Sequence, residues 1–129
     1  MIISKTSYPV RLPVKWYFVN SPKGKIKNVV IEFDKDFNML EKLISGIFKS
    51  PKILRRPLDD MNSRLWIMMN GENNFENILK EMELIFKERI IPVNERVSAS
   101  ILKFRDLGLA TVVNSSEEIV WNLDSVDFH

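Results

Sequence analysis

Aromatic and β-branched residues gather in two short stretches of the N-terminal third, Lys-Trp-Tyr-Phe-Val-Asn at 15–20 and Asn-Val-Val-Ile-Glu-Phe-Asp at 28–34. Such side chains suit the pleated, half-buried surface of a sheet, so both are predicted strands. Ser21, Pro22 and Gly24 fall at the first, second and fourth positions favoured by a type I turn, which predicts an antiparallel hairpin. From Asn38 the period changes: Leu40, Leu43, Ile44 and Ile47 recur at helical spacing, with Asn38 as a cap and Pro51 as a stop. The stretch 52–58 is extended again, and Pro57, which cannot donate to a ladder, places it at a sheet edge or a strand end.

Three more helices follow. Asp59 can cap the first, which carries Leu65, Trp66 and Met69 and stops at Gly71, a residue that takes the left-handed conformation cheaply. Asn73 with Glu76 resembles a capping box opening the second, whose stripe is Ile78, Leu79, Met82 and Phe86. The third begins near Pro92, turns Val93, Val97, Ile101 and Phe104 inward and stops at Gly108. Residues 109–113 and 119–123 read as two strands joined through Asn114-Ser115-Ser116-Glu117, a β-hairpin wing. The expected fold class is α+β, a winged helix-turn-helix with N-terminal antiparallel strands, a three-helix core and this C-terminal wing.

With 129 residues, 45% of them hydrophobic, the chain has material for one core, so residues 1–129 are expected to form a single domain. Its N-terminal strands and inserted helix would span about 15–57, its helical core and wing about 58–124. The chain has no cysteine, and its one histidine is His129. Disulfides, thiolate metal sites, His-ligated zinc or haem and a Ser-His-Asp arrangement are therefore not expected. No signal-like apolar segment opens the chain and the apolar run 65–69 is too short to span a bilayer, so a cytoplasmic protein without membrane association is expected. Charge is unevenly spread: residues 1–57 hold 12 Lys and Arg against 4 acids, residues 58–129 hold 7 against 13. Such a field steers charged partners to one face, unless the two faces simply solvate and attract each other.

The run Leu58-Asp59-Asp60-Met61-Asn62-Ser63-Arg64-Leu65-Trp66-Ile67-Met68-Met69-Asn70-Gly71, followed by two helices and Asp106-Leu107-Gly108-Leu109, resembles the PqqD-like family of small winged-helix domains. The resemblance covers about fifty residues, mostly core and cap positions. Many relatives have Gly or Ala where this chain has Asn62. The resemblance implies a RiPP recognition element: a non-catalytic peptide chaperone that holds the leader of a precursor peptide for a modifying enzyme, often of the radical-SAM type. In that family the leader adds as a strand to the third strand and packs on the third helix. Carried onto this sequence, the edge is Lys52, Ile53, Leu54, Arg55 and Arg56. The wall is the outer face of the third helix, where Ala99 and Leu102 lie opposite the core stripe at 100° per residue. Arg96 and Lys103 flank it and would meet acidic leader residues. Reversing Arg55 and Arg56 to Glu is expected to weaken leader binding without unfolding the protein.

Two rivals use overlapping surfaces. A winged helix can insert its third helix into DNA, but residues 110–124 contain no Lys or Arg and do contain Glu117, Glu118 and Asp124, which repel phosphates, so nucleic acid is not the expected partner. A partner protein, or a second copy forming a homodimer, could instead use the same edge. No enzyme is expected: the four glycines make no phosphate loop, and Asp59-Asp60 and Glu117-Glu118 point in different directions as adjacent residues. Trp16, Trp66 and Trp121 read as core residues before stacking platforms. No catalytic residue, metal ligand or cofactor is assigned.

Overall fold

The computed structural model describes residues 3–20, 27–34 and 53–125. Five strands are present among them: β1 (Tyr8–Arg11), β2 (Lys15–Asn20), β3 (Lys27–Asp34), β4 (Ile53–Pro57) and β5 (Ala110–Val113). The helices are α1 (Asp60–Met68), α2 (Phe75–Phe86) and α3 (Val93–Asp106), with 3-10 turns at Lys87–Ile90 and Ser116–Glu118. The protein is α+β, with antiparallel sheets of order β1-β5 and β2-β3-β4. The predicted turn at 21–24, the helix expected over 38–49 and Lys52 lie outside the described residues. No helix among the described residues is long and apolar enough to cross a membrane.

The helices follow the periodicity of the sequence. Leu65, Trp66 and Met69, then Ile78, Leu79, Met82 and Phe86, then Val97, Ile101 and Phe104 are all buried in one apolar cluster with Trp16, Val29 and Ile31 of the larger sheet. Trp66 lies at its centre, edge-on to Trp16 at 6.2 Å and to Phe104 at 5.3 Å between ring centroids, a geometry aromatic quadrupoles favour. Asp59 caps α1, its carboxylate accepting from the Asn62 backbone N–H at 2.8 Å. Gly108 takes φ +75 after α3, its N–H donating to Arg105 O while Leu109 N–H donates to Phe104 O. Those two bonds and the buried Phe104 and Leu109 make a Schellman stop.

Two local expectations are corrected. The cap of α2 is Asn74, which accepts from the Asn77 N–H at 2.9 Å. Phe75 is the first helical residue, so a cap must stand at 74, and Asn73 instead braces the preceding loop by donating to Met68 O at 3.1 Å. The second correction concerns the wing. Residues 119–123 form no strand, and β5 pairs with β1, Tyr8 opposite Val113 and Arg11 opposite Ala110. After β5 a capping box between Ser115 and Glu118 starts a 3-10 turn in place of a hairpin. The chain then crosses back over the core with Ile119 against Gly71, where an added Cβ would stand 2.8 Å from the Ile119 Cδ1.

Arg11 fastens this returning segment. Its side chain is 5% exposed. Nη1 donates to Trp66 O at 2.7 Å and Ile67 O at 3.0 Å, carbonyls of the last turn of α1, and Nη2 donates to Leu123 O at 2.9 Å. The guanidinium lies 4.8 Å from the centroid of the Trp16 ring, and Trp16 Nε1–H shares the Leu123 carbonyl at 3.1 Å. Trp121 Nε1–H donates to Arg11 O at 2.6 Å. Burial lowers the Arg11 pKa to about 10, with Asp124 pulling it back upward. Because the folded-state value is depressed, the desolvation cost is fully present at neutral pH and lessens only above about 10. Against that burial stand charge-assisted bonds worth roughly 1.5–3 kcal/mol each and the favourable position of a cation at a helix C-terminus.

Two stability predictions follow from these contacts. Replacing Arg11 with Met removes three charge-assisted bonds, leaves Ile67 O without its partner, and leaves Trp66 O and Leu123 O with only the bonds from Met69 N–H and Trp16 Nε1–H. It is expected to cost about 3 kcal/mol in urea unfolding. Arg11→Lys keeps the charge but not the two-sided fork and should fall between Met and wild type. Ser63, buried in α1, accepts from the Val29 N–H at 2.9 Å and donates to Leu58 O at 3.2 Å. Ser63→Ala strands the Val29 N–H and is expected to cost about 1–3 kcal/mol by the same measurement.

Candidate functional site

β4 is the end strand of the larger sheet, and among the described residues it pairs only with β3. Alternate peptide groups of such a strand point away from its partner and stay available for another chain. The register sets the side chains. Arg55 stands opposite Glu32, Arg56 opposite Ile31, and Leu54 and Ile53 opposite Phe33 and Asp34. Because successive residues alternate faces, Arg56 shares the face of the buried Ile31, the side that the helices cover, and Arg55 the opposite one.

Arg55 is committed within the sheet. Its Nε donates to Glu32 Oε1 at 2.9 Å, Tyr17 donates its hydroxyl to the same oxygen at 3.0 Å, and Lys15 Nζ lies 3.3 Å from Oε2. Glu32 is 8% exposed, so three strands contribute one row, Lys15–Glu32–Arg55, around a buried carboxylate. The Arg55 bond above all holds the Glu32 carboxyl below its ordinary range; burial opposes this, and the Tyr17 and Lys15 bonds reinforce it. Glu32 in turn raises Arg55. Reversing Arg55 therefore carries a structural cost besides any effect on binding. Arg55→Glu would set a second carboxylate against Glu32.

On α3, Arg96, Ala99 and Lys103 are exposed. Arg96 Nη1 donates to Arg89 O at 2.5 Å. Leu102 is half-buried and packs against the core, so the apolar pair expected on the outer face reduces to Ala99. Leu102 stands only 100° around the helix from the fully buried Ile101, so its side chain reaches the margin of the core. At the other end of α3 a small cleft of about 80 Å³ separates Arg96, Val97 and Ser100 from Asp59, Met61 and Asn62 at the start of α1. Its floor is apolar. Met61, Asn62 and Ser100 were missed by sequence reasoning, although Arg96 and Ser100 stand four apart and must share a helix face. Glu32 was missed too, and its signal was a lone acid inside Val-Val-Ile-Glu-Phe.

The structure thus brings Arg56 and the Arg96 cleft to the β4-to-α1 corner, places Ala99 and Lys103 farther along α3, and uses Arg55 elsewhere. No protein-family model, curated protein or solved structure matches this chain. The site offers unpaired main-chain groups of a strand edge, an apolar-floored cleft and cations with no carboxylate partner at Arg56, Arg96 and Lys103 among the described residues.

The Glu32 row predicts an acid limb in stability. A carboxyl with a lowered folded-state pKa stabilises above its unfolded value, and that stabilisation disappears as pH falls through the folded value. Thermal midpoints measured from pH 7 to pH 2 are expected to fall below the ordinary carboxylate range. Glu32→Gln should flatten that limb, and Arg55→Gln should reduce it more than Lys15→Gln.

Proposed function

We propose that the chain is a single non-catalytic domain of the PqqD-like, winged-helix type that binds a precursor or leader peptide by strand addition at β4, with α3 as the second wall. In this reading a modifying enzyme of the radical-SAM type receives the bound peptide, and β1 takes the place of a second wing strand beside β5. The observation that carries it is the position of β4 at the end of the order β2-β3-β4, directly before the cleft that α1 and α3 form. A strand edge supplies affinity for any extended chain, and side-chain pockets beside it supply selection.

Energetics divide the work between the two. Four or five ladder bonds at roughly 1 kcal/mol each supply about half of the ~8 kcal/mol required for micromolar binding. The remainder falls to Arg56, Arg96, Lys103 and the cleft. An anionic peptide fits these cations better than a phosphate backbone fits the molecule as a whole, because residues 110–124 carry Glu117 and Glu118 exposed and no Lys or Arg.

The test is capture on the tagged full chain from lysate of its source organism, with and without nuclease, followed by affinity measurement on any retained peptide. A short precursor peptide retained regardless of nuclease is the expected result. The Arg96→Glu/Lys103→Glu variant, changed at two exposed positions, should then bind it at least about tenfold more weakly with an unchanged urea midpoint. Retention of nucleic acid, or unchanged affinity in that variant, would overturn the assignment.

A further inference from the structure

A second cleft, of about 450 Å³, opens between α1 and α2 and includes none of the residues of the β4 edge. Its size is within the roughly 300–1,000 Å³ typical of small-ligand sites. On one wall Arg64 holds Glu81 by a single long contact, Nη2 to Oε1 at 3.3 Å. The Arg64 Nε is buried and has no hydrogen-bond partner. A guanidinium offers Nε–H and a neighbouring Nη–H as a parallel pair that matches the two oxygens of a carboxylate, so half of this fork is unused. Buried donors of charged groups rarely remain unpaired.

The neighbouring amides add donors of the same kind. Asn70 Oδ1 accepts from Glu72 N–H at 2.9 Å and from Asn73 Nδ2 at 3.3 Å, and Asn73 also spends that group on Met68 O. These bonds occupy the Asn70 oxygen and leave its NH2 without a partner among the described residues, and the Asn77 side-chain amide makes no bond among them either. The Met68 side chain, almost wholly buried, supplies apolar surface beside them.

We propose that this cleft binds an organic carboxylate with a short apolar body, its two oxygens taken by Arg64 Nε–H and Nη2–H in place of Glu81, its tail against Met68 and its rim contacts made by the Asn70 and Asn77 amides. Glu81 is then an internal stand-in for the ligand, held loosely enough to be displaced. A free organic acid and the C-terminus of a peptide share this chemistry.

The test is titration of the ¹⁵N-labelled full chain, following arginine Nε–H and asparagine amide signals, with hexanoate, hexanamide, hexylammonium and N-acetyl-leucine. Hexanoate should shift the Arg64 Nε–H and the Asn70 and Asn77 amides saturably, whereas the neutral and cationic analogues should not. Stronger binding of N-acetyl-leucine than of hexanoate would assign the site to a peptide C-terminus, the reverse to a free acid. Glu81→Gln is expected to tighten carboxylate binding about tenfold by removing the competitor, and Arg64→Lys to weaken it by about as much. Equal response to hexanamide, or hexanoate affinity unchanged in folded Glu81→Gln, would overturn the proposal.

Discussion

The buried guanidinium of Arg11 is the constraint around which the other parts are arranged. It closes the C-terminus of α1, lies against Trp16 of the larger sheet, and holds the Leu123 carbonyl of the returning segment. Its own backbone belongs to the smaller sheet, with Arg11 N–H donating to Met69 O. One side chain therefore sets the spacing between both sheets and a helix. A hydrocarbon of the same size could fill the volume but could not satisfy carbonyls arriving from two directions, and a lysine could not divide its donors between them in fixed geometry.

The second buried charge works in the opposite way. Arg11 is held by backbone carbonyls, whereas Glu32 is held among formal cations supplied by both neighbouring strands. Strand register and charge are coupled at that row: a slip of one residue on β4 would bring Arg56 opposite Glu32 and put Arg55 on the helix face. The ion row is thus a device of register in the sheet whose outer strand is the candidate binding edge. It also removes Arg55 from the recognition chemistry, leaving Arg56, Arg96 and Lys103 as the cations a ligand would meet.

Much of this architecture was legible in the sequence, because local rules governed it. Asp59 and Gly108 punctuate the helices where cap and stop chemistry require, whereas α1 ends before the expected Gly71, with Met69 as its C-cap, and the apolar stripes of α2 and α3 turn inward as their period dictates. The unread parts are those decided by distant partners. Tyr-Pro-Val-Arg has a proline and too little pattern to announce a strand, and becomes one only because Val113 to Ala110 lie alongside it. Residues 119–123 have strand-like composition, but they are held by the Arg11 fork and the Trp16 ring nitrogen at Leu123 O and by the bond from the Trp121 ring nitrogen to Arg11 O. At the candidate edge the sequence indicated the strand and the cations, while the division of labour between Arg55 and Arg56 depended on which of them faces Glu32.

The pairing of β1 with β5 has a kinetic meaning. Tyr8 must find Val113, and Arg11 must find Leu123, across nearly the whole length of the chain. Loop closure over such separations is entropically slow compared with forming α2 or the β2–β3 pair. On the ribosome the Arg11 charge therefore waits, without its Leu123 acceptor, until synthesis has passed the third helix. Vectorial synthesis can build the helices and the larger sheet early, but the smaller sheet and the final strap close together as the last cooperative event.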